Sequence, residues 1–417
     1  MSASRGYMLA VLTALSALNQ LDRQLVNILI EPIRREFDLT DVQIGLLSGL
    51  AFAAIYGVLS IPAALYAVHH NRKNLLALSA TVWGGMTVIC GLAQSYGQLL
   101  AARLGVGIGE AGGMPPSHAM ISERYASHER AAALATWAAG VNIGIFLAFF
   151  GGGLIGQYYG WRTAFFSAGI LTVALAVILQ LTVKEPERTG DSRGGTPGSS
   201  RSMLAAVLRT FRTDRVLVHV VVGATLASTV GYSFLTWLPS FLIRSHGLGI
   251  AEAGIYIAIT GGALGAIGTW LGGFVTERLQ RRDVRWALWL TAATLVIVVP
   301  FAIFAFLTRS TWLALTLFAV HAALGAVFIG PSLAILHNRV EAALRPVTSA
   351  VFLLVVNCVG LALGPLGVGA LSQYAFSDQG ADSLRYALVA AELLALWASA
   401  HYFMSGARLR AKMRVSA

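Results

Sequence analysis

Four ionisable side chains lie inside stretches of the chain that are otherwise apolar. Asp22 and Arg23 are adjacent within the apolar run 7–30, and Arg103 and Glu110 lie within a second apolar run. A charge in the hydrocarbon of a membrane is costly and persists only when it is paired, hydrated or used. Two acids and two bases in such surroundings can carry protons and hold an anionic group, so we expect them to form one site.

The rise of an α-helix places these side chains at compatible depths. At 1.5 Å per residue, Asp22 lies about 12 Å from the outer end of its span, and Arg103 and Glu110 lie about 8 and 18 Å from the outer end of theirs. Arg103 and Glu110 are two turns apart on one helix face, with glycines between them that allow a close helix neighbour. These glycines are Gly105, Gly107 and Gly109.

Two interpretations of the four charges are open. One is a static ion-pair network that locks the first span to the fourth; the other is a site that binds substrate and protons. We favour the second, because intramembrane charges usually mark substrate or ion routes. Glu110 is then the best candidate for the proton carrier, since movement of a nearby arginine would change its protonation.

The elements that must position these residues are membrane spans. The chain of 417 residues is 56% hydrophobic and 12% charged, whereas soluble domains are about 25% charged. We find twelve apolar stretches close to the roughly 20 residues that cross a bilayer. They cover 7–30, 43–68, 75–93, 98–121, 131–156, 163–183, 216–243, 251–275, 286–307, 311–337, 347–374 and 384–405.

The residue inventory argues against several other kinds of protein. The chain has no ATP-binding loop of the form G-x-x-x-x-G-K-[ST], and no nucleophile with a base and an acid stands out, so we expect no enzyme activity and no cofactor. Cys90 and Cys358 lie in apolar spans, which predicts neither a disulfide framework nor a metal site. We also expect no cleaved signal peptide.

The basic residues favour one side of the predicted spans. With the N-terminus placed inside, 22 lysines and arginines fall in inner segments and 6 in outer segments. This bias predicts that both termini are cytoplasmic, in a bacterial inner membrane. It also accounts for the net charge of +11 without a nucleic-acid partner.

A long polar stretch divides the spans into two sets of six. We predict an N-terminal six-helix bundle over 1–183, a cytoplasmic linker over 184–215, and a C-terminal bundle with a basic cytoplasmic tail over 216–417. Residues 203–215 have two interpretations, an amphipathic surface helix or a solvated connector, and we favour the connector.

The two halves carry matching landmarks. An offset of 209 aligns LTDVQIG from Leu39 with LGIAEAG from Leu248, and an offset of 215 aligns Pro116 with Pro331. Two six-helix halves in parallel repeat are the architecture of major facilitator transporters, whose site lies near mid-membrane. We therefore predict an all-α membrane protein of twelve transmembrane helices with this fold and a pseudo-two-fold repeat.

The same offsets place uncharged, partly aromatic residues of the second half where the first half carries its charges. This pattern favours an amphiphile with an anionic or zwitterionic head and an apolar tail, although ordinary packing is the interpretation we favour for each aromatic residue alone. The head-group candidates are Asn19, Arg23 and Arg103, and the tail candidates are Tyr232, Trp237 and Phe318.

Five further ionisable residues of the spans stay outside the predicted site. The histidines have no partner at metal-binding spacing, so we expect them to be hydrogen-bonded helix residues, and the glutamate has no partner in the sequence. These residues are His118, His219, His321, His401 and Glu392.

Three segments resemble bacterial spinster-type members of the major facilitator superfamily. They are NQLDRQLVNILIEPIRREFDLTDVQIGLLSG from Asn19, RLGVGIGEAG from Arg103 and SERYASHERAAALA from Ser122. The resemblance covers most of the first half and extends loosely over the second. It implies proton-coupled transport of sphingosine-1-phosphate or lysophospholipids, with the four intramembrane charges in the coupling and head-group roles.

The resemblance also implies a conformational latch in the loop after the second span, with a counterpart in the second half. The family pattern has Asp-Arg where this chain has Val68 and His69, which leaves the balance of inward and outward states open. The latch candidates are Arg72, Lys73, Glu277, Arg278 and Arg281.

The sequence as a whole predicts an alternating-access secondary transporter of an amphiphilic lipid. Its partners would be protons and membrane lipids, and we expect a monomer. The alternative within transport is a proton-coupled carrier of a small organic anion. A lipid scramblase without coupling and a membrane receptor that transports nothing are the alternatives from other classes.

Overall fold

The computed structural model describes residues 5–186, 197–325, 327–341 and 344–409. Every regular element in these ranges is helical. The helices of the first half of the chain are α1 (Arg5–Phe37), α2 (Asp41–Gly45), α3 (Ala51–His69), α4 (Arg72–Leu92), α5 (Tyr96–Glu110), α6 (Met114–Arg124), α7 (Ser127–Tyr159) and α8 (Trp161–Thr182).

The helix that follows α8 begins at Pro197 and ends at Thr213, within the predicted linker. Most of 203–215 is therefore helical rather than an irregular connector. Residues 187–196 of that linker, and 410–417 of the predicted basic tail, lie outside the described residues. The remaining helices are α9 (Pro197–Thr213), α10 (Arg215–His246), α11 (Ile250–Ile257), α12 (Gly265–Gln280), α13 (Trp286–Leu307), α14 (Thr311–Gly325), α15 (Ile329–Arg339), α16 (Arg345–Ala370), α17 (Ser383–Glu392) and α18 (Leu394–Arg408).

Within the described residues, 10 helical stretches are long and apolar enough to cross a membrane. The two other predicted spans are those that carry the intramembrane charges. One is α1, which contains the polar block 19–23. The other is interrupted by a turn at 111–113, between α5 and α6. The same polar residues that identify the site therefore weaken the membrane-span pattern around it.

The repeat is visible in the helix boundaries. At the offset of 215, α5 and α14 begin and end at corresponding residues, and so do α6 and α15. At the offset of 209, Thr40 and Gln43 form a capping box at the start of α2, while Glu252 accepts a hydrogen bond from the N–H of Gly249 at the start of α11. Glu and Gln at this position of a helix satisfy an otherwise unpaired N–H.

The described residues form two compact units. Unit one contains residues 1–191 and 236–262, and unit two contains 192–235 and 263–417. The end of α10 and the whole of α11 thus belong to unit one, although we predicted the C-terminal bundle to begin at 216.

Glycines allow the helices of unit one to pack closely. A Cβ atom added to Gly140 of α7 would lie 2.6 Å from the carbonyl oxygen of Thr13 in α1, and one added to Gly169 of α8 would lie 2.6 Å from that of Gly84 in α4. Small residues at such contacts let backbones approach, which drives association in a lipid environment. These contacts fix α1 and α4, the helices that carry Asp22 and its neighbours.

Unit two has an apolar core of its own, formed by α10, α13, α16 and α18. Leu217, Leu288 and Phe352 are among its buried side chains. Within this core, the hydroxyl groups of Ser332 and Tyr402 are hydrogen-bonded at 2.8 Å, so the buried phenol is satisfied.

Candidate functional site

The carboxylate of Asp22 is buried in the middle of α1 and has partners on two neighbouring helices. Thr87 of α4 donates a hydrogen bond from Oγ1 to Asp22 Oδ1 at 2.8 Å. Arg103 of α5 places Nη1 at 3.5 Å from Asp22 Oδ2 and 3.4 Å from its carbonyl oxygen. The threonine contact is a good hydrogen bond, whereas 3.5 Å lies at the long limit. Arg103 therefore acts on Asp22 mainly through its charge.

The next residue of α1 reaches the second acid. Arg23 donates from Nε to Glu110 Oε2 at 2.6 Å. Its guanidinium also lies over the rings of Phe52 and Tyr56, at 4.9 and 4.6 Å from their centroids. Such cation–π contacts stabilise a charge without neutralising it. The sequence predicted that an arginine would hold Glu110, and the structure identifies it as Arg23.

Two polar atoms of the cluster lack a hydrogen-bond partner within the described residues. They are Oε1 of Glu110 and Nε of Arg103. Because a buried polar group without a partner costs free energy, such atoms often mark a place where water or a ligand binds. The second oxygen of Glu110 is thus available to a proton or a water molecule.

The position of Glu110 follows from the local sequence. It is the last residue of α5, and the turn 111–113 separates it from α6. A Cβ atom on Gly109 would lie 2.5 Å from the backbone nitrogen of Trp83 in α4, so only glycine permits this approach. Gly105 is similarly close to Met86, whereas Gly107 has ordinary contacts. Two of the three predicted glycines therefore bring α5 against α4.

A small cavity lies beside the Arg23–Glu110 pair. Its volume is ≈ 80 Å³, enough for about two or three water molecules at roughly 30 Å³ each. The predicted head-group residue Asn19 lines it, together with the indole rings of Trp83 and Trp137. The Nε1 atoms of both indoles lack a partner among the described residues. The cavity therefore lies next to the Arg23 guanidinium and is lined by residues that carry hydrogen-bond donors.

The cluster as it stands is electrically balanced, with two carboxylates and two guanidinium groups in unit one. An anion can bind Arg23 strongly only if the negative charge of Glu110 no longer neutralises the guanidinium. Protonation of Glu110 would do this, because it removes the negative charge that holds the guanidinium. The arrangement can therefore exchange a proton for an anionic group.

The predicted tail residues have different environments. Trp237 belongs to unit one and is fully buried, with the guanidinium of Arg244 at 5.8 Å from its ring. In unit two, Phe318 is also fully buried and packs edge-on against Phe306 at 4.9 Å. Tyr232 is partly exposed and donates to Asn357 Oδ1 at 3.2 Å. Their contact with a lipid tail stays a prediction.

The latch candidates of unit one are tied into a polar network. Arg72 forms an ion pair with Glu123 at the end of α6. The carboxylate of Glu185 accepts the backbone N–H groups of Arg72 and Lys73 at 3.1 and 2.7 Å. It thereby caps α4, as anions do at helix N-termini. The side chains of Val68 and His69 lie outside the described part of the chain.

The latch candidates of unit two are arranged differently. Arg281 pairs with Glu277 at 2.9 Å, four residues apart, and both side chains are more than half exposed. Arg278 is exposed as well. Exposed pairs of this kind contribute little to stability, so unit two has no buried counterpart of the Arg72 pair among its described residues.

Sequence reasoning missed several partners that are distant along the chain. Glu392, for which we found none, is paired with His321 at 3.0 Å. His219 and His401 contact each other through Nδ1 at 2.9 Å. Helical periodicity relates residues a few positions apart, so it gives no signal for pairs like these.

A further ion cluster joins the ends of three helices in unit one. Arg244 of α10 lies 2.6 Å from Glu31 of α1 and 2.8 Å from Asp41 of α2. In the sequence, Arg244 counts only as one of the six basic residues of the predicted outer segments. The signal that could have indicated its partners is the position of Glu31 and Asp41, which both lie at ends of apolar runs.

The profile of the Major Facilitator Superfamily matches residues 12–365. An MFS-type efflux pump of Mycolicibacterium smegmatis is 33% identical over 401 residues, covering 96% of this chain and 92% of that protein. A probable galactarate/D-glucarate transporter of Bacillus subtilis is 26% identical, with 67% and 66% covered. A probable sphingolipid transporter, spinster homolog 2 of Arabidopsis thaliana, is 26% identical, with 82% and 72% covered.

A solved structure is similar over almost the full length. It is the crystal structure of a bacterial homologue of the human lysosomal transporter Spinster, in an inward-facing and unoccupied conformation. The TM-score is 0.89 and the sequence identity is 31%, with 97% of each chain covered. At this identity and coverage, the likeness extends beyond a shared fold.

Proposed function

Because the chain belongs to the Major Facilitator Superfamily and is of the bacterial spinster type, we propose that it is a proton-coupled, alternating-access transporter of an amphiphilic lipid. Sphingosine-1-phosphate and lysophospholipids represent the expected substrate class. We further propose that it acts as a monomer in a bacterial inner membrane, with both termini in the cytoplasm.

The observation that carries this proposal is the 2.6 Å contact of Arg23 with Glu110 beside a small cavity that Asn19 lines. The head group of the substrate binds Arg23, with Asn19 as a further donor. Glu110 takes up a proton at the same time, since the arginine no longer neutralises it. The substrate head group and the Glu110 carboxylate compete for the positive charge of Arg23. This competition couples substrate transport to proton transport.

Arg103 and Asp22 have a supporting role in this scheme. Both are almost completely buried, and Arg103 has little access to a ligand in this arrangement. The charge of Arg103 favours the ionised form of Asp22, and Asp22 can share a proton with Glu110, because interacting carboxyl groups titrate as a set. Arg103 and Asp22 thereby set the electrostatic potential at Arg23 and Glu110, the two residues that exchange partners.

A small organic anion is the second candidate substrate. It is favoured by the relative from Bacillus subtilis, which is a probable galactarate/D-glucarate transporter, and by the cavity volume of only ≈ 80 Å³. The lipid substrate is favoured by the spinster-type relatives. Both substrates place a negative charge on Arg23, so the difference lies in whether an apolar tail is required.

Reconstitution in liposomes tests the proposal and separates the two candidates. Purified protein is given an imposed pH gradient and either a labelled lysophospholipid, sphingosine-1-phosphate or galactarate. We expect the lipids to be carried and galactarate neither to be carried nor to compete. Arg23→Ala should abolish transport, whereas the exposed Arg309→Ala is the matched control and should not. Transport of galactarate alone would contradict the lipid proposal, and lipid movement unaffected by Arg23→Ala would indicate a scramblase.

A further inference from the structure

Unit two contains a buried acid–base pair of its own. His321 of α14 lies with Nε2 at 3.0 Å from Glu392 Oε1 of α17. The two residues are only 7% and 2% exposed. Each lies about 14 to 15 Å along its helix from the first residue of that helix. This depth puts the pair well inside the apolar part of a membrane.

The surroundings of the pair are aromatic and apolar. The ring of Phe234 lies 4.4 Å from that of His321, and Phe234 also contacts Phe318 at 5.5 Å. The second nitrogen of the imidazole, Nδ1, has no hydrogen-bond partner among the described residues. A charge without a counter-charge costs much free energy in such surroundings. The gain or loss of one proton, which changes the net charge of the pair, therefore changes its free energy strongly.

Other charged groups on the neighbouring elements are engaged elsewhere. No residue of α13, which packs against both α14 and α17, is ionisable. Arg385 of α17 is paired with Asp382 at 3.2 Å. The remaining ionisable residues on the elements around the pair are at helix ends, exposed, or in contact with other side chains: Arg215, His219, Tyr232, Arg244, His246, Glu277, Arg278, Arg345, Cys358, Tyr374, Asp378, Tyr386, His401, Tyr402 and Arg408.

The helices that carry the pair are interrupted beside it. α14 ends at Gly325, four residues after His321, and α17 ends at Glu392 itself, with Leu393 as a turn before α18. The end of α14 corresponds to the end of α5 at the repeat offset of 215, where Glu110 lies. Each unit thus has an ionisable side chain at or near the end of a helix segment.

We propose that His321 and Glu392 form a second proton-binding site, used by unit two in the transport cycle. With Glu392 ionised and His321 neutral, the pair carries one negative charge. Uptake of one proton makes it neutral overall, either as an ion pair or as a neutral carboxyl with a neutral imidazole. Histidine is the side chain whose protonation most readily changes near physiological pH. The role in transport rests on the proposed function, whereas the binding of a proton does not.

Infrared difference spectra of the purified full-length protein test the proton site directly. Difference spectra between acid and neutral pH should contain a carboxyl or carboxylate signal that Glu392→Gln removes, because a proton taken up by either member of the pair changes the charge or the hydrogen bond of this group. His321→Gln should remove or shift the same signal. His219→Gln is the matched control, because that histidine contacts another histidine rather than an acid, and it should leave the carboxyl signal unchanged. A carboxyl signal identical in wild type and Glu392→Gln would overturn the proposal.

Transport in liposomes tests the functional role. If two sites must be protonated, the slope of log rate against pH should be about two in wild type and about one in Glu392→Gln. Thermal melting checks that each variant is folded. If Glu392→Gln is unstable, the transport measurement uses His321→Gln instead. An unchanged slope in a folded variant would refute the role in coupling. Wild-type transport without any pH dependence would instead refute the proposed proton coupling, while the infrared spectra would still decide whether the pair binds a proton.

Discussion

Arg23 and Glu110 form a hydrogen-bonded ion pair of 2.6 Å in which only the arginine is accessible, with 21% of its side chain exposed against 0% for the glutamate. The accessible partner is therefore the one that can meet a ligand, and the inaccessible partner is the one that must accept a proton when the pair separates. Under the proposed function, the protonation of Glu110 therefore responds to what binds Arg23.

Replacement of Glu110 by glutamine should uncouple transport from its proton. Glutamine resembles the protonated carboxyl, so Arg23 is released permanently and substrate still binds. We expect the slope of log transport rate against pH to decrease by about one, with substrate affinity preserved. The measurement is transport in liposomes at a series of pH values. A variant that keeps the wild-type rate and pH profile would return the four charges to a structural role.

The two arginines of the site should respond differently to truncation. Arg103 is almost completely buried beside Asp22, so Arg103→Ala leaves an acid buried without its counter-charge and should destabilise the fold by about 3 kcal/mol. Arg23 is partly hydrated, so Arg23→Ala should affect stability less and substrate binding more. Thermal melting in detergent and equilibrium binding of a lysophospholipid distinguish the two effects. If Arg103→Ala and Arg23→Ala lost the same stability, the difference in burial between the two arginines would not explain a difference in their roles.

Much of the fold, and the grouping of the four intramembrane charges, could be predicted from the sequence. Apolar runs and the repeat predicted the fold class, which is confirmed by the family match and the Spinster homologue. Helix rise and spacing brought Asp22, Arg23 and Glu110 to similar depths, and the structure places them together. Both inferences use local regularities, which a sequence displays directly.

The partners of these residues could not be predicted, because each pairing depends on how distant helices pack. Thr87 contacts Asp22 across 65 positions, and His321 meets Glu392 across 71. Neither contact leaves a periodic signal. The sequence therefore identifies His321 and Glu392 as ionisable residues of the spans but leaves them without partners, whereas the structure pairs them inside unit two.

An exposed ion pair near the end of α1 should make stability depend on acid pH. Arg162 and Trp161 donate hydrogen bonds of 2.7 Å each to Glu36 Oε2, and the Arg162 hydrogen bond in particular lowers the pKa of Glu36 below its ordinary value. A lowered pKa stabilises the fold above the unfolded-state pKa, and this contribution is lost as pH falls through the folded-state value.

We therefore expect Glu36→Gln to melt at a lower temperature than wild type at neutral pH. Because both charged side chains are more than a third exposed, the loss should be only about 0.5 kcal/mol. The loss should disappear as the pH falls through the lowered pKa of Glu36, because the wild-type carboxyl is then also protonated. Thermal melting across this range is the measurement, with the exposed Glu277→Gln as the control. A difference that persists in acid would show that the carboxylate charge is not its cause.

The Arg244 cluster should hold the end of α10 against α1. Glu31 is buried, and Arg244 lies 2.6 Å from it, so Arg244→Ala leaves a buried carboxylate without this counter-charge. Removing one partner of a buried pair costs about 3–5 kcal/mol, whereas replacing both partners costs much less. We expect Arg244→Ala to speed amide hydrogen exchange at 236–246, which reports local opening. The double variant Glu31→Gln, Arg244→Gln should restore most of the protection. Equal exchange in the single and double variants would mean that the ion pair does not secure this contact, and exposed Arg309→Ala controls for the loss of a positive charge alone.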